Sequence, residues 1–203
     1  MDSIFPNVQK NMASGAEEKP TCLALVADGS EETEFVSVVD TLVRGGVDVT
    51  VASCSSDKTV TCSRGIQIAA SVLISDVSGA FDAIFIPGGV GGANAICENK
   101  DAQRLLKEQK EKGRWICAIC AAPALTLVPL GLLEGPATSY PAPKFRTALP
   151  DKSKADEVVV VDHEHKTATS QGPGTALFFG VEILKFLVGA DVAAKVAKGL
   201  LLA

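Results

Sequence analysis

Short apolar runs alternate with amphipathic, helix-like segments along the chain from Thr21 onward. Apolar runs of this kind, separated by helices, are typical of parallel strands covered on both faces. The pattern therefore predicts an α/β fold, a doubly wound and mostly parallel sheet sandwiched by helices. Strands are expected at 22–27, 47–53, 83–86, 115–119, 158–161 and 167–170, with short extended pieces within 59–68 and a further segment at 137–140. Helices are expected at 30–44, 100–112, 121–130, 174–188 and from 190 onward.

Three polar or small-residue turns follow predicted strands. They are the turn from Asp28 to Glu32, the sequence Pro87-Gly88-Gly89, and Cys120. In doubly wound sheets ligands bind outside the carboxyl ends of the strands, where the winding reverses. We therefore expect these turns to converge on one pocket.

Cys120 lies between the apolar strand that ends at Ile119 and a helix-like run that begins Ala121-Ala122-Pro123. A sharp strand-to-helix turn with small flanking residues, here Ala118 and Ala122, is the geometry of a nucleophile elbow. Amide dipoles at the start of a helix favour an anion. The position predicts a thiolate.

Two other interpretations of this cysteine remain open. A cysteine in apolar sequence is usually an inert buried side chain. Cys117 and Cys120 also make the Cys-x-x-Cys spacing of dithiol redox proteins. That motif normally opens a helix, whereas Cys117 falls inside a predicted strand, so we expect Cys117 to be buried in the sheet.

Glu31, Glu32 and Glu34 crowd the start of the first predicted helix. For Glu31 and Glu32 we expect solvated side chains that offset the helix dipole. Glu34 lies one step further in, where its side chain can meet Cys120. A confined carboxyl beside a thiolate tends to keep its proton, so Glu34 is predicted to be a proton carrier.

Backbone amides supply the remaining predicted chemistry. Gly88 and Gly89 allow conformations that other residues avoid, so their amides can point into the pocket. With the amide of Ala121 they are predicted to form an oxyanion site for a carbonyl attacked by sulfur. Pro-Gly-Gly is a common turn, so its place between two strands beside the pocket carries the argument.

The two histidines, His163 and His165, lie in a predicted turn between antiparallel strands. We expect both histidines to lie in a solvated loop, where neither is placed to act as a base for Cys120. No metal site is predicted, because the pair lacks converging cysteine or aspartate ligands. A thiol protease is disfavoured, since Ala121 stands where such an enzyme of this architecture has a histidine.

Composition limits the function classes. The chain has 203 residues, a net charge of -5 and a pI near 5.1, which argues against nucleic-acid binding. Its length fits one domain at 21–203, preceded by a tail at 1–20 without an apolar signal core. The six cysteines follow predicted strands and helices, which favours a reducing, cytoplasmic location. Segment 115–133 is uncharged, but Pro123, Pro129 and Gly131 argue against a membrane span.

Five motifs occur in order and together resemble one family. The chain from Thr21 to Ala203 resembles the ThiJ/PfpI superfamily, in the branch of the parkinsonism-associated deglycase (DJ-one) and its bacterial ThiJ-type chaperone relatives. The resemblance implies a flavodoxin-like homodimer, an oxidisable Cys120 thiolate beside a protonated Glu34, and no cofactor. It also implies an oxyanion site at Gly89 and Ala121. The motifs are Gly29-Ser30-Glu31-Glu32-Thr33-Glu34, Cys62-Ser63-Arg64, Pro87-Gly88-Gly89, Ala118-Ile119-Cys120-Ala121 and Gly172-Pro173-Gly174-Thr175.

The implied activity is conversion of reactive dicarbonyls, as a glutathione-independent glyoxalase or a deglycase of glycated proteins. Arg64, Gly172 and Pro173 are expected to border the pocket. One departure from the family pattern is Tyr140, which stands before Pro141 where animal members have a histidine. A phenol donates a hydrogen bond at neutral pH but is a poor base, so we expect slower turnover. The alternative is a redox-regulated chaperone or oxidative-stress sensor.

Overall fold

The computed structural model describes residues 19–202. The strands are β1 (Thr21–Val26), β2 (Asp48–Ser53), β3 (Thr59–Thr61), β4 (Gln67–Ala69), β5 (Val72–Leu73), β6 (Ala83–Ile86), β7 (Trp115–Ile119), β8 (Val159–Asp162) and β9 (Thr167–Ser170). The helices are α1 (Glu32–Arg44), α2 (Val90–Glu98), α3 (Lys100–Glu111), α4 (Pro143–Arg146), α5 (Ala176–Leu187) and α6 (Ala190–Gly199). The predicted tail at 1–20 lies outside the described residues, apart from Lys19 and Pro20.

Seven strands form one sheet in the order β5-β2-β1-β6-β7-β9-β8. All neighbours are parallel except β8 and β9, and β3 pairs with β4 in a separate antiparallel hairpin. The central strands are buried along their whole length, as their continuous apolar sequences require. Helices flank this sheet, so the predicted α/β architecture is confirmed.

Close helix packing explains one glycine in α5. A Cβ atom at Gly180 would lie 2.7 Å from Cβ of Thr41, which is buried in α1. The absence of a side chain lets α5 approach α1 against the sheet.

The winding of the sheet reverses between β1 and β6. From β1 the chain proceeds outward to β2 and β5, and from β6 it proceeds the other way to β7 and β9. Because these strands are parallel, the turns after β1, β6 and β7 lie at the same edge. The predicted convergence of the three turns is confirmed.

Several local elements differ from the predictions. The helix expected at 121–130 is a π-helical turn over Pro123–Leu127, in which the Val128 amide bonds to the Pro123 carbonyl at 3.1 Å. Segment 137–140 forms no strand, and an isolated bridge joins Pro136 to Asp151 instead. Helix α2 was missed because its first turn contains two glycines, which are poor helix formers.

No helix within the described part of the chain combines the length and apolar character needed to cross a membrane. The uncharged segment at 115–133 divides into strand β7 and the π-helical turn. A strand in a sheet followed by a short turn explains its apolar character as core.

Candidate functional site

Cys120 follows the last residue of β7 and adopts a left-handed backbone conformation, with φ of 66°. Its amide donates to the Ser170 carbonyl at 2.9 Å, and its carbonyl accepts from the Tyr140 amide at 2.8 Å. The side chain is 9% exposed. Left-handed backbone is uncommon for a residue with a Cβ, so Cys120 holds a strained conformation.

Glu34 lies in the first turn of α1 and is fully buried. Its Oε2 accepts a hydrogen bond from the Gly88 amide at 2.8 Å. Its Oε1 makes no hydrogen bond with any residue the structure describes. Glu31 caps the helix by accepting from the Glu34 amide at 2.7 Å, which fixes the backbone of Glu34.

Gly88 lies where the thiol and the carboxyl meet. A Cβ atom there would come within 2.5 Å of both Cys120 Cβ and Glu34 Oε2, and within 2.9 Å of Cys120 Sγ. The missing side chain is what lets the two groups approach. The Gly88 amide is occupied by Glu34, so the prediction that it serves as an oxyanion donor is wrong.

The two acidic groups shift each other's ionisation. Burial raises the pKa of Glu34 to about 7, although hydrogen bonds with Cys120 and the Gly88 amide oppose the rise. Burial also raises the pKa of the Cys120 thiol to about 12, helped by the charge and hydrogen bond of Glu34. Two adjacent negative charges are unfavourable in a buried site, so a thiolate at Cys120 requires Glu34 to hold the proton.

The backbone amides of Gly89 and Ala121 lower the pKa of the Cys120 thiol, against the larger effect of burial. Gly89 has φ of 79°, and a Cβ atom there would lie 2.2 Å from the Gly29 carbonyl oxygen. The turn after β6 therefore packs directly on the turn after β1. The two amides favour negative charge near this sulfur, but burial and Glu34 outweigh them in the free protein.

A cavity of about 610 Å³ opens over Cys120. Arg64 and Pro173 border it, and Tyr140 lies at its mouth with 43% of its side chain exposed. A Cβ atom at Gly172 would lie 3.3 Å from the Tyr140 ring and 3.8 Å from Glu34 Oε1. The cavity is lined by Gly29, Glu31, Ser63, Arg64, Gly89, Val90, Gly91, Cys120, Ala121, Tyr140, Ala142, Lys144, Phe145 and Pro173.

Lys144 and Phe145, from helix α4, line this cavity, although the sequence pattern did not predict them as site residues. The Lys144 ammonium lies 4.7 Å from the Phe145 ring centre. Pro143 at the start of α4 was the available signal, because proline is common at the first position of a helix. A four-residue helix is too short for periodicity to reveal it.

Glu31 and Glu32 are 9% and 4% exposed, so the prediction that they stay solvated is wrong. Glu32 accepts from the Ser63 hydroxyl at 2.9 Å and from the Arg64 amide at 2.8 Å. Burial opposes ionisation of Glu32, but these hydrogen bonds prevail and lower its pKa. The carboxylate thereby holds the β3–β4 connection, and with it Arg64, beside the cavity.

Other predicted positions fall away from this centre. Cys117 is fully buried within β7, as predicted, and burial raises its pKa well above the usual value. His163 and His165 lie in the turn between β8 and β9, at the opposite edge of the sheet from Cys120. His165 is not a free loop residue, because its Nδ1 lies 2.7 Å from Oδ2 of Asp162. Within residues 19–202 no cluster of three His, Cys, Asp or Glu side chains is arranged to hold a metal.

Comparison with known proteins shows one consistent relationship. Residues 21–186 match the model of the DJ-1/PfpI family. The chain is 40% identical over 185 residues to protein dj-1beta of Drosophila melanogaster, covering 90% of this chain and 97% of that protein. It is 35% identical over 189 residues to the glutathione-independent glyoxalase DJR-1.2 of Caenorhabditis elegans, covering 93% and 99%. Its fold matches oxidized Toxoplasma gondii DJ-1 with a TM-score of 0.85 at 38% identity, covering 90% of this chain and 98% of that one.

Proposed function

Because the chain belongs to the DJ-1/PfpI family, we propose that it detoxifies reactive dicarbonyls through the pair formed by Cys120 and Glu34. The observation that carries the proposal is the contact of an elbow cysteine with a buried carboxyl whose pKa is raised to about 7. A carboxyl that titrates near neutral pH can both accept and return a proton. The similarity to a glutathione-independent glyoxalase supports the same chemistry.

The first step joins sulfur to the substrate. Glu34 accepts the thiol proton, and Sγ of Cys120 bonds to the aldehyde carbon of methylglyoxal, whose carbonyl electrons move onto oxygen. The amides of Gly89 and Ala121, already directed at this sulfur, stabilise the resulting alkoxide. Glu34 then returns the thiol proton to that oxygen, which gives a hemithioacetal and leaves Glu34 free to accept another proton.

The second step moves hydrogen within the substrate. The C1 proton of the hemithioacetal leaves and a proton returns to C2, so C1 is oxidised to a thioester while the ketone is reduced to an alcohol. Glu34 Oε1, which has no hydrogen-bond partner among residues 19–202, is free to carry this proton. Water then cleaves the C–S bond, releasing lactate and the thiol. With a protein hemiaminal of methylglyoxal as substrate, sulfur displaces the amine from C1 and Glu34 passes the thiol proton to the leaving amine. The resulting hemithioacetal then reacts as above and releases lactate.

Tyr140 limits this cycle in our proposal. It occupies the position of the histidine that the family resemblance assigns to proton transfer, and its phenol is exposed at the mouth of the cavity. A phenol is a poor base near neutral pH, so Glu34 must carry the transfer alone. Turnover should therefore be slow.

The test is lactate formation from methylglyoxal. Cys120→Ser should abolish lactate formation, whereas Cys97→Ser, which changes a cysteine in α2 outside the cavity, should retain it. Tyr140→His should raise the rate, because it restores a base. Full turnover by Cys120→Ser would exclude the mechanism.

A redox-regulated chaperone or stress sensor is the second candidate. The amides of Gly89 and Ala121 suit a sulfinate at Cys120 as well as an alkoxide. The oxidized state of the similar Toxoplasma gondii protein supports this reading. Mild peroxide treatment should change the suppression of client aggregation by the wild type and leave Cys120→Ser unchanged. Equal suppression before and after oxidation would count against it.

We also propose a cytoplasmic homodimer. Exposed apolar residues occur on two neighbouring elements, Val36 of α1 at 53% and Ile66 before β4 at 57%. Such surface favours association, and light scattering should report a dimer that Ile66→Lys weakens.

All six cysteines are free thiols, which suits a reducing cytoplasm.

A further inference from the structure

A second cavity, of about 630 Å³, lies at the opposite edge of the sheet from Cys120. It is formed where β1, β6, β7 and β9 begin, and the end of α5 covers it. Nothing in the proposed dicarbonyl chemistry uses it. Its chemically distinctive lining residues are Lys19, Asp82, Arg114, Trp115, Lys166 and Phe186.

Positive charge is concentrated in this cavity although the chain as a whole carries a net charge of -5. Lys19, Arg114 and Lys166 contribute three cations, against the single carboxylate of Asp82. That carboxylate is already engaged, since its Oδ2 accepts from the Thr21 amide at 2.8 Å and from the Thr21 hydroxyl at 3.0 Å. The cavity therefore presents a net charge of about +2 to a ligand.

The three cations are not neutralised by a carboxylate among the residues that the structure describes. None of them forms an ion pair within the described range 19–202. The Nε of Arg114 is buried from solvent and has no hydrogen-bond partner in the same range. A buried donor without a partner costs free energy, and an anionic ligand would satisfy it.

Aromatic side chains form one wall of the cavity. The Trp115 ring stacks on Phe186, with ring centres 3.8 Å apart. The Lys166 ammonium lies 5.0 Å from the Trp115 ring centre, and Lys166 has a left-handed backbone with φ of 55°. This cation–π contact holds Lys166 beside the cavity without consuming its charge.

We propose that this cavity binds a small metabolite bearing a phosphate monoester. A phosphate monoester is close to dianionic at neutral pH, which matches the net charge of the cavity. The guanidinium of Arg114 has the planar fork that recognises phosphate oxygens. The volume exceeds what inorganic phosphate fills and falls in the range of metabolite pockets. The site is independent of Cys120.

Trp115 is the single tryptophan of the chain, so its fluorescence reports directly on this cavity. We would titrate the full chain with glycerol 3-phosphate at constant ionic strength and expect a saturable change. Glycerol should produce none. Arg114→Gln should weaken binding about tenfold, as loss of a charged hydrogen bond predicts. Lys198→Gln, which removes an exposed lysine of α6, should leave binding unchanged.

Inorganic phosphate and acetate serve as competing anions that distinguish a phosphate monoester from simpler ligands. Inorganic phosphate that binds as tightly as the monoester would exclude a metabolite, and acetate that binds as tightly would exclude phosphate recognition. Absence of a saturable response in the wild type, or full binding by Arg114→Gln, would also contradict it. Lys166→Gln, followed by calorimetry because it alters the tryptophan environment, provides a second variant if Arg114→Gln folds poorly.

Discussion

The carboxyl of Glu34 adds to the burial that raises the pKa of the Cys120 thiol, whereas the hydrogen bond between the two groups partly offsets the burial that raises the pKa of Glu34. The two groups meet beside Gly88 in a site that excludes most solvent. They therefore titrate as a pair, and one proton between them is the arrangement that avoids two buried charges. The nucleophile is available when that proton lies on Glu34.

Replacing Glu34 by glutamine tests this coupling. Glu34→Gln removes the negative charge but keeps a carbonyl that can accept from the Gly88 amide. The pKa of Cys120 should fall, because the charge of Glu34 and its hydrogen bond with the thiol, which both raise that pKa, are removed. Lactate formation should nevertheless drop by about 10²-fold or more, since the proton carrier is lost. Iodoacetamide alkylation across a pH range measures the thiol, and a pKa equal to the wild-type value would contradict the coupling.

The close approach at Gly88 makes a second prediction. Gly88→Ala places a methyl group 2.5 Å from Cys120 Cβ and Glu34 Oε2, which forces the thiol and carboxyl apart. Overpacking of this kind typically costs about 1–3 kcal/mol in the free energy of unfolding. Lactate formation should fall even under conditions in which the variant stays folded, because the thiol and the carboxyl no longer lie in contact. Urea unfolding and lactate formation measure the two effects.

Gly199→Ala is the matched control for that substitution. Nothing lies within 4 Å of a Cβ atom at Gly199, which ends α6. Alanine is the better helix former, so stability should stay equal or rise slightly. If Gly88→Ala and Gly199→Ala lost equal amounts of stability and activity, contact with Cys120 and Glu34 would not be the cause of the losses in Gly88→Ala.

The sheet and the position of Cys120 followed from the sequence because both depend on local patterns. A buried parallel strand must be apolar along its length, and Ala83–Ile86 and Thr167–Ser170 were predicted with the bounds the structure has. The adjacency of the three turns then followed from the topology of parallel strands.

The hydrogen-bond partners and the side-chain burial within the site could not be predicted from local sequence patterns. The Gly88 amide bonds Glu34, a partner 54 residues away, so only the folded chain decides which donors remain free. The burial of Glu32 also depends on a distant segment, since Ser63 and Arg64 of the β3–β4 connection donate hydrogen bonds to its carboxylate. The pattern of charges within α1 does not show that a distant segment packs against the start of this helix.

The raised pKa of Glu34 makes stability depend on pH. The folded-state pKa of about 7 lies above the ordinary value of 4.5, so the folded protein binds more protons between these values. The contribution of Glu34 is therefore fully present below about pH 4.5 and is lost as pH rises through about 7, an effect of up to about 3 kcal/mol. Urea unfolding of wild type and Glu34→Gln at several pH values isolates it. A constant difference between the two proteins would contradict the raised pKa.

The turn between β8 and β9 is stabilised by Asp162, which is 8% exposed. Its Oδ1 accepts from the amides of Glu164 and His165 at 2.9 and 3.2 Å, and its Oδ2 lies 2.7 Å from His165 Nδ1. Burial opposes ionisation of Asp162, but these hydrogen bonds from His165 and Glu164 lower its pKa overall. Its contribution is therefore present at neutral pH and is lost as pH falls through the lowered value.

Asp162→Asn should destabilise the protein by about 1–3 kcal/mol at neutral pH, because charged hydrogen bonds to a buried group are lost. The deficit should shrink in strong acid, where the wild-type carboxyl also becomes neutral. Asp48→Asn, at an exposed carboxylate that begins β2, is the matched control and should change stability little at either pH. Urea unfolding of all three proteins measures the differences. A deficit of equal size in acid and at neutral pH would show that the charge of Asp162 contributes nothing to the turn.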